Sequence, residues 1–255
     1  MAVTKDLINK LYELITQTEY CTALTGAGVS TLSGIPDFRG KNGLYNNPDA
    51  EKIFDIEYFE KDPSLYYRAA ASLIYDLDKK EPSLVHLVLA ELEKRGFLKA
   101  IITQNIDLLH EKAGSKHVIE IHGSPKIHYC LRCAGIRMPY EEAAGIVRSG
   151  GLPRCPVCER VLKPAITFFG ESLPSDALRE ASAESQKSDL MLVLGTSLTV
   201  FPAASMPQYT LRGGGEIVIV NKMATPLDRM ALLHFDDLED VFGEIKEIFS
   251  TGGLS

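Results

Sequence analysis

The 255-residue sequence predicts an α/β fold built on a doubly wound parallel sheet. Three observations carry that expectation. Short runs at 20–25, 100–103, 118–121, 190–194 and 216–220 are apolar on both faces and rich in Ile, Val or Leu, as strands covered on both sides are. Helical patterns separate these runs, which gives right-handed βαβ crossovers. The runs end in glycine or polar residues, and such sheets hold ligands at the carboxyl ends of their strands.

The elements follow in order. Leu7, Ile8, Leu11, Leu14 and Ile15 repeat at helical spacing, with Thr4 as the expected N-cap. The first strand, 20–25, stops at Gly26-Ala27-Gly28. Further helices are expected at 83–95, with Ser83 as cap, and at 107–112, 174–186 and 203–212. The last, 237–249, puts Leu238, Val241, Phe242, Ile245 and Phe249 on one stripe. Two regions, roughly 36–80 and 125–165, break the alternation and read as inserts. There is no internal repeat or low-complexity segment, and 251–255 reads as a loose tail.

Hydrophobic residues make up 45% and charged residues 24%, ordinary for a chain with a sizeable core. The net charge of −7 argues against direct nucleic-acid binding, which calls for a basic balance or patch. An acidic rim around a cleft would still attract a basic peptide. No stretch reaches the roughly 20 apolar residues of a membrane span. The start, Met-Ala-Val-Thr-Lys-Asp, lacks the apolar run of a secretory signal, so a cytoplasmic location is expected. Thiols stay reduced in that compartment, so the cysteines need a reason other than disulfides.

Cys130-x-x-Cys133 and Cys155-x-x-Cys158 are separated by 21 residues. Two such knuckles supply the tetrahedral four-thiolate set of a structural zinc, with no open position for chemistry. A pair of redox dithiols is the alternative, and a ribbon of this kind would also suit a nucleic-acid module, although the intervening segment is not notably basic. Cys21, inside an apolar strand, reads as a small core residue.

Thr25-Gly26-Ala27-Gly28-Val29-Ser30 follows the first strand, where glycines would let backbone amides approach a pyrophosphate. The usual third glycine would fall at Thr31, and no acidic residue ends a second strand soon after, so the site differs from a dehydrogenase site. A strand–helix turn without a ligand would look the same in isolation. A second glycine turn, Gly195-Thr196-Ser197, and Asn221 close two more strands. Thr103-Gln104-Asn105-Ile106-Asp107 and His122-Gly123 end the remaining two. An amide, a carboxylate and an imidazole thus converge on one sheet edge, which favours a nucleotide crevice with His122 as a catalytic group. His86, His110, His117, His128 and His234 lack such company and are read as structural.

Taken together, Gly26-Ala27-Gly28-Val29-Ser30, Ile35-Pro36-Asp37-Phe38-Arg39-Gly40, 103–107, His122-Gly123, the four paired cysteines, Phe168-Phe169-Gly170-Glu171 and Gly195-Thr196-Ser197-Leu198 occur in the order seen in sirtuins. The resemblance to these silent-information-regulator deacylases spans about residues 4 to 249, and the compact length is similar to bacterial and archaeal members. It implies a Rossmann-like large domain (1–35, 81–124, 166–255) and a small domain made of a helical insert with the cofactor loop (36–80) and a zinc ribbon (125–165).

The resemblance also implies an activity: NAD is consumed, nicotinamide leaves, and the acyl group of a protein lysine passes to ADP-ribose. His122 would be the general base, and an imidazole suits proton transfer near neutral pH. Gln104, Asn105, Ile106 and Asp107 would line the ribose and nicotinamide pocket, with Asn105 catalytic alongside His122. Gly26, Ala27, Gly28, Ser30, Asp37, Phe38 and Arg39 would form the glycine turn and the loop over the cofactor, Phe38 shielding the reacting carbon from water. Gly195, Thr196 and Ser197 would bind phosphate and ribose, Asn221 the adenosine ribose, and Leu238 would lie near the adenine. An acylated peptide would add as a strand between Thr167, Phe168, Gly170 and Glu171 on one side and Val200, within Thr199-Val200-Phe201, on the other.

Two features bear on acyl preference. Thr167 stands where the family more often has an aliphatic residue, and Tyr67 is followed at Ala70 by no arginine, the cation that relatives favouring acidic acyl groups carry there. Neutral acyl groups are therefore expected to be preferred. Two other functions fit parts of the pattern: mono-ADP-ribosyl transfer to a protein side chain, and non-catalytic binding of NAD or ADP-ribose. Asn105, Asp107 and His122 together argue against the second, since a pure binder needs no base.

Overall fold

The computed structural model describes residues 2–37 and 50–250. Six strands form its centre: β1 (Cys21–Thr25), β2 (Leu98–Thr103), β3 (Val118–Glu120), β7 (Leu190–Leu194), β8 (Glu216–Val220) and β9 (Leu233–Phe235). They lie in the order β3-β2-β1-β7-β8-β9 with every pair parallel. All five residues of β1 and of β7 are buried, as strands between two helical layers require, and β1 leads through Gly26-Ala27 into the single turn α2 (Gly28–Thr31). The strand order reverses between β1 and β7, which makes their carboxyl ends the switch point where a crevice opens.

Side-chain alternation along the strands divides the core in two. Leu190, Leu192 and Leu194 face α1 (Ala2–Gln17), α6 (Leu84–Lys94) and α11 (Leu238–Ser250) through Leu11, Ile15, Leu89, Leu92, Phe242 and Ile245. Met191 and Val193 face α9 (Ser175–Lys187) and α10 (Met206–Arg212) through Ala181 and Met206. Deleting any of these fully buried aliphatic side chains would cost about 2–5 kcal/mol.

Most sequence expectations hold to within one or two residues, with three corrections. The first helix starts at Ala2, so Thr4 lies inside it and is not its cap. Helix α7 is only Leu109–Lys112, because Asp107 accepts the Leu109 amide and Leu108 takes a left-handed φ of 65°. Residues 203–205 form a 3-10 turn before α10 begins at Met206. Ser83 does precede α6, and its backbone N–H donates to His86 Nδ1 at 3.1 Å. Strand β9 is not among the expected strands, because the exposed His234 at its centre interrupts the apolar run that marks the others.

The two inserts pack together. The first contributes α3 (Ala50–Ile53), α4 (Ile56–Lys61) and α5 (Pro63–Ala70). Asp55 caps α4 by accepting the Tyr58 amide, and Pro63 opens α5 where no amide hydrogen is needed. The second contributes β4 (Gly123–Tyr129), β5 (Arg137–Pro139), α8 (Tyr140–Arg148) and β6 (Lys163–Ile166), with antiparallel strand order β5-β4-β6. Their shared core is aromatic: Phe54, Phe59, Tyr66, Tyr67, Tyr75, Tyr140 and Phe168. Tyr140 stacks on Tyr75 at 6.2 Å and donates its hydroxyl to the Ile74 carbonyl, which joins α8 to the first insert. Among the described residues no helix is long and apolar enough to cross a membrane.

Candidate active site

A cleft of about 1170 Å³ opens at the carboxyl ends of the strands and brings together most of the residues singled out in the sequence. Gly26, Ala27, Gly28 and Asp37 line it with Gln104, Asn105, Ile106 and His122. Thr167, Phe168, Gly170 and Glu171 border it, as do Gly195, Thr196, Ser197, Val200, Asn221 and Leu238. Ser30 and Asp107 line instead a small adjoining cavity, where they meet Ala27, Ile35, Pro36, Asn105 and Ile106. Phe38 and Arg39 lie outside the described residues.

The glycine turn has a different physical basis from the one expected. The amide of Gly26 donates to the Leu194 carbonyl at 3.0 Å and that of Gly28 to the Gly195 carbonyl at 2.9 Å. Neither is left for a phosphate. The glycines are needed because the two turns touch: a Cβ on Gly28 would sit 2.6 Å from Gly195 Cα, and one on Gly26 would sit 2.7 Å from the Gly195 carbonyl oxygen. Gly195 itself has φ +60°, a conformation that glycine adopts without strain. Close approach of backbones at the switch point is what this sequence motif encodes.

Between the turns lies a network of polar side chains. Asn105 Nδ2 donates to the Gly26 carbonyl and to Ser30 Oγ, both at 3.0 Å. Ser30 Oγ in turn donates to Asp107 Oδ2 at 2.5 Å, and Asp107 Oδ1 accepts the Leu109 amide. Gln104 Nε2 reaches Thr196 Oγ1 at 3.0 Å. Asn105 and Asp107 are thereby buried and held.

His122 stands at the end of β3, and its Nδ1 donates to the Gln104 carbonyl at 2.8 Å. That bond selects the tautomer in which Nε2 carries the lone pair. Burial pushes the imidazole below its usual pKa, and the bond to the Gln104 carbonyl opposes this without reversing it. The ring is therefore a neutral base at pH 7.

The segments expected to flank a peptide border the cleft, although part of their backbone is already used. Phe169 donates its amide to the Phe54 carbonyl at 2.7 Å and accepts from the Ile56 amide at 3.1 Å. The Phe168 amide donates to Glu171 Oε2 at 2.8 Å, and the Thr167 amide to the His122 carbonyl at 2.8 Å. An added strand must pair with the other backbone groups of these segments. Phe168 is 1% exposed and packs edge-on against Phe54 and Phe59 at 5.9 and 5.5 Å, which gives the cleft a rigid apolar wall. Sequence reading missed Phe54, Lys222 and the acidic stretch Asp236, Asp237 and Glu239, which also line the cleft. Lys222 directly follows Asn221 and was legible as a strand-end residue. The acidic stretch follows β9 and could not be placed without that strand.

The four knuckle cysteines converge away from the cleft, with all Sγ atoms within 4.8 Å of one another. Cys130 Sγ accepts the amides of Arg132 and Cys133 at 3.4 and 3.2 Å, the bonds that stabilise a thiolate in a zinc knuckle. Burial opposes ionisation of Cys130, yet these amides and the neighbouring thiols outweigh it and lower its pKa. The set fits a tetrahedral zinc. Cys21 is different: burial alone pushes its thiol up to about 12, as a core residue requires.

Comparisons with known proteins agree with this geometry. The model of the Sir2 family matches residues 26–202. A protein of Thermotoga maritima described as an NAD-dependent protein deacetylase is 44% identical over 97% of this chain and 99% of its own. An NAD-dependent protein deacylase of Archaeoglobus fulgidus is 42% identical over 87% of this chain and 89% of its own. Among solved structures, a Sir2 protein with a p53 peptide and NAD superposes with a TM-score of 0.86 at 43% identity, covering 97% of this chain and 99% of that one. A second, bound to a propionylated peptide, gives 0.85 at 42% identity over the same shares. The resemblance read from scattered motifs therefore extends over 97% of the chain in sequence and in backbone, and the chain belongs to the Sir2 family, the sirtuins.

Proposed function

We propose that this chain removes acyl groups, acetyl foremost, from protein lysines at the expense of NAD and one water, giving nicotinamide, O-acyl-ADP-ribose and free lysine. One observation carries the reading: His122, its tautomer set by Gln104, shares a cleft with both glycine turns and with the Phe168–Glu171 segment. The dinucleotide supplies an anomeric carbon that accepts the acyl oxygen once nicotinamide departs. The protein's own part is binding, orientation and proton transfer. Gly195, Thr196, Ser197 and Asn221 hold the phosphate and ribose portion, and Leu238 lies against the adenine. Asn105 and Gln104 orient the nicotinamide ribose, with Ser30 and Asp107 fixing Asn105 from the small cavity. His122 Nε2 takes a proton from a ribose hydroxyl, which makes that oxygen the nucleophile. Thr167, Phe168, Gly170, Glu171 and Val200 hold the peptide and the lysine stem. Phe38 and Arg39, outside the described residues, belong to the same proposal as cofactor-binding residues.

The four cysteines hold one structural zinc. In this reading 36–80 and 125–165 form the small domain and the remainder the large one, with cytoplasmic residence in keeping with four reduced thiols. Purified protein given an acetyl-lysine peptide should release nicotinamide and deacetylate only when NAD is present. Mass spectrometry separates this from ADP-ribosyl transfer, which would leave the protein or peptide heavier by ADP-ribose. Deacetylation without NAD would refute the proposal.

Neutral acyl groups are expected to be preferred. Ala70 is buried in α5 one turn from Tyr67, whose hydroxyl is committed to the Leu162 carbonyl, while Arg68 pairs at the surface with Asp62. Lys163 is buried beside Phe168 but its Nζ is bonded to Glu171 at 2.8 Å. Among the described residues beside Phe168, a succinyl carboxylate would be desolvated without a free partner cation. Acetyl-lysine should therefore turn over roughly tenfold or more faster than succinyl-lysine in the same peptide. Faster desuccinylation would refute the preference and leave the deacylase reading intact.

A further inference from the structure

Lys163, at the start of β6, is fully buried, a rare place for a side chain of its type. All three ammonium hydrogens find acceptors: the carbonyls of Pro164 and Ile166 at 3.2 and 2.7 Å, and Glu171 Oε2 at 2.8 Å. The ammonium also lies 4.1 Å from the centre of the Phe168 ring. Burial pulls Lys163 below its usual pKa, and the bond to Glu171 opposes that pull.

Glu171 answers from the other end of the same segment. Its Oε2 accepts both the ammonium and the backbone amide of Phe168, at 2.8 Å each, and the Glu171 amide donates back to the Phe168 carbonyl at 3.1 Å. Residues 163–171 are thus drawn into a loop closed by one ion pair, whose cation rests on the ring that walls the cleft. Phe54, Phe59 and Tyr66 press on that ring with centroids 5.9, 5.5 and 5.2 Å away, but apolar contact is non-directional. The ion pair fixes both the ring and the amide of one residue. A buried pair adds little net stability, because desolvation offsets the attraction, so its use here calls for another reason.

We propose that Lys163 is a positioning residue that sets the peptide affinity of the cleft: paired with Glu171, it clamps Phe168 in the geometry that receives the acyl-lysine stem. The effect on turnover rests on the deacylase reading and on the place of Phe168 in it, whereas the clamp itself does not.

The Phe168 amide reports the clamp without substrate. Lys163→Met keeps the length of the stem and removes the charge. In that variant, hydrogen exchange of the Phe168 amide, followed by NMR on the full-length protein, should quicken about tenfold or more. Unchanged protection would overturn the clamp. The second arm is kinetic. With an acetyl-lysine peptide, Lys163→Met should raise the peptide KM about tenfold and leave kcat and the KM for NAD within about threefold of the parent. General loosening would raise both KM values together; that result, or an unchanged peptide KM, would overturn the positioning role. Lys163→Gln can still donate to the Ile166 carbonyl but offers Glu171 no charge. It should match the Met variant, and it decides the question should the Met protein not fold. Parental peptide KM in the Gln variant would deny the ion pair its role. An inactive parent would instead refute the deacylase reading and leave the Phe168 amide to decide the clamp.

Discussion

His122→Ala is expected to lower kcat by about three orders of magnitude or more while leaving NAD affinity within a few-fold of the parent. The imidazole is the neutral base of the cleft, and alanine leaves nothing to accept a hydroxyl proton at that point. The groups proposed to hold the dinucleotide, the second glycine turn and Asn221, are on β7 and β8, across the sheet from His122. Binding and chemistry should therefore separate. Steady-state nicotinamide release gives kcat, and calorimetric titration of NAD gives affinity. The pH dependence is a second readout. Burial depresses the His122 pKa, so the base form dominates at neutral pH and is lost as pH falls through the depressed value. The acid limb of kcat/KM should therefore lie below about 6.5 and be absent from the residual activity of the alanine variant. A variant that deacetylates at near-parental rate removes His122 from the mechanism.

Cys155→Ser should abolish binding of one zinc per chain and lower the melting temperature by roughly 10 °C or more. The buried apolar set around the knuckles is small, consisting of Cys130, Cys155 and Leu162 with a few partly buried neighbours. So little apolar surface cannot hold two knuckles and an antiparallel ladder together, and the metal must supply the cohesion. The effect should spread along β4 and β6, which share the Gly123↔Ile166 and Tyr129↔Lys163 pairings and run from the metal set to the active site. Prolonged chelation of the parent should reproduce both the lower melting point and the loss of turnover, with recovery on adding zinc back. If the parent carries no zinc by metal analysis and the variant melts with it, the four thiols serve another purpose.

Parts of this molecule were legible from the chain because their physics is local. A strand buried on both faces must be apolar on both, so β1, β7 and β8 announced themselves. Two Cys-x-x-Cys pairs carry their chemistry in their spacing, and the distances between sulfur atoms agree. Gly26, Gly28 and Gly195 were recognised as special, yet the reason given for the first two was incomplete. Their amides bond to the neighbouring turn, and the lack of a side chain is needed for contact between two loops about 170 residues apart in sequence.

What the sequence determined by itself is the sheet, the metal set and the identity of the polar residues at the strand ends, because each depends on burial or spacing along a short stretch. Only the tertiary structure decided how those residues partner one another. It sent Ser30 and Asp107 to the small cavity, engaged the backbone of Phe169 with Phe54 and Ile56, and set His86 against His110. Hydrogen bonds are directional and short, so which donor meets which acceptor depends on the packing of distant elements and leaves no periodic trace in the chain.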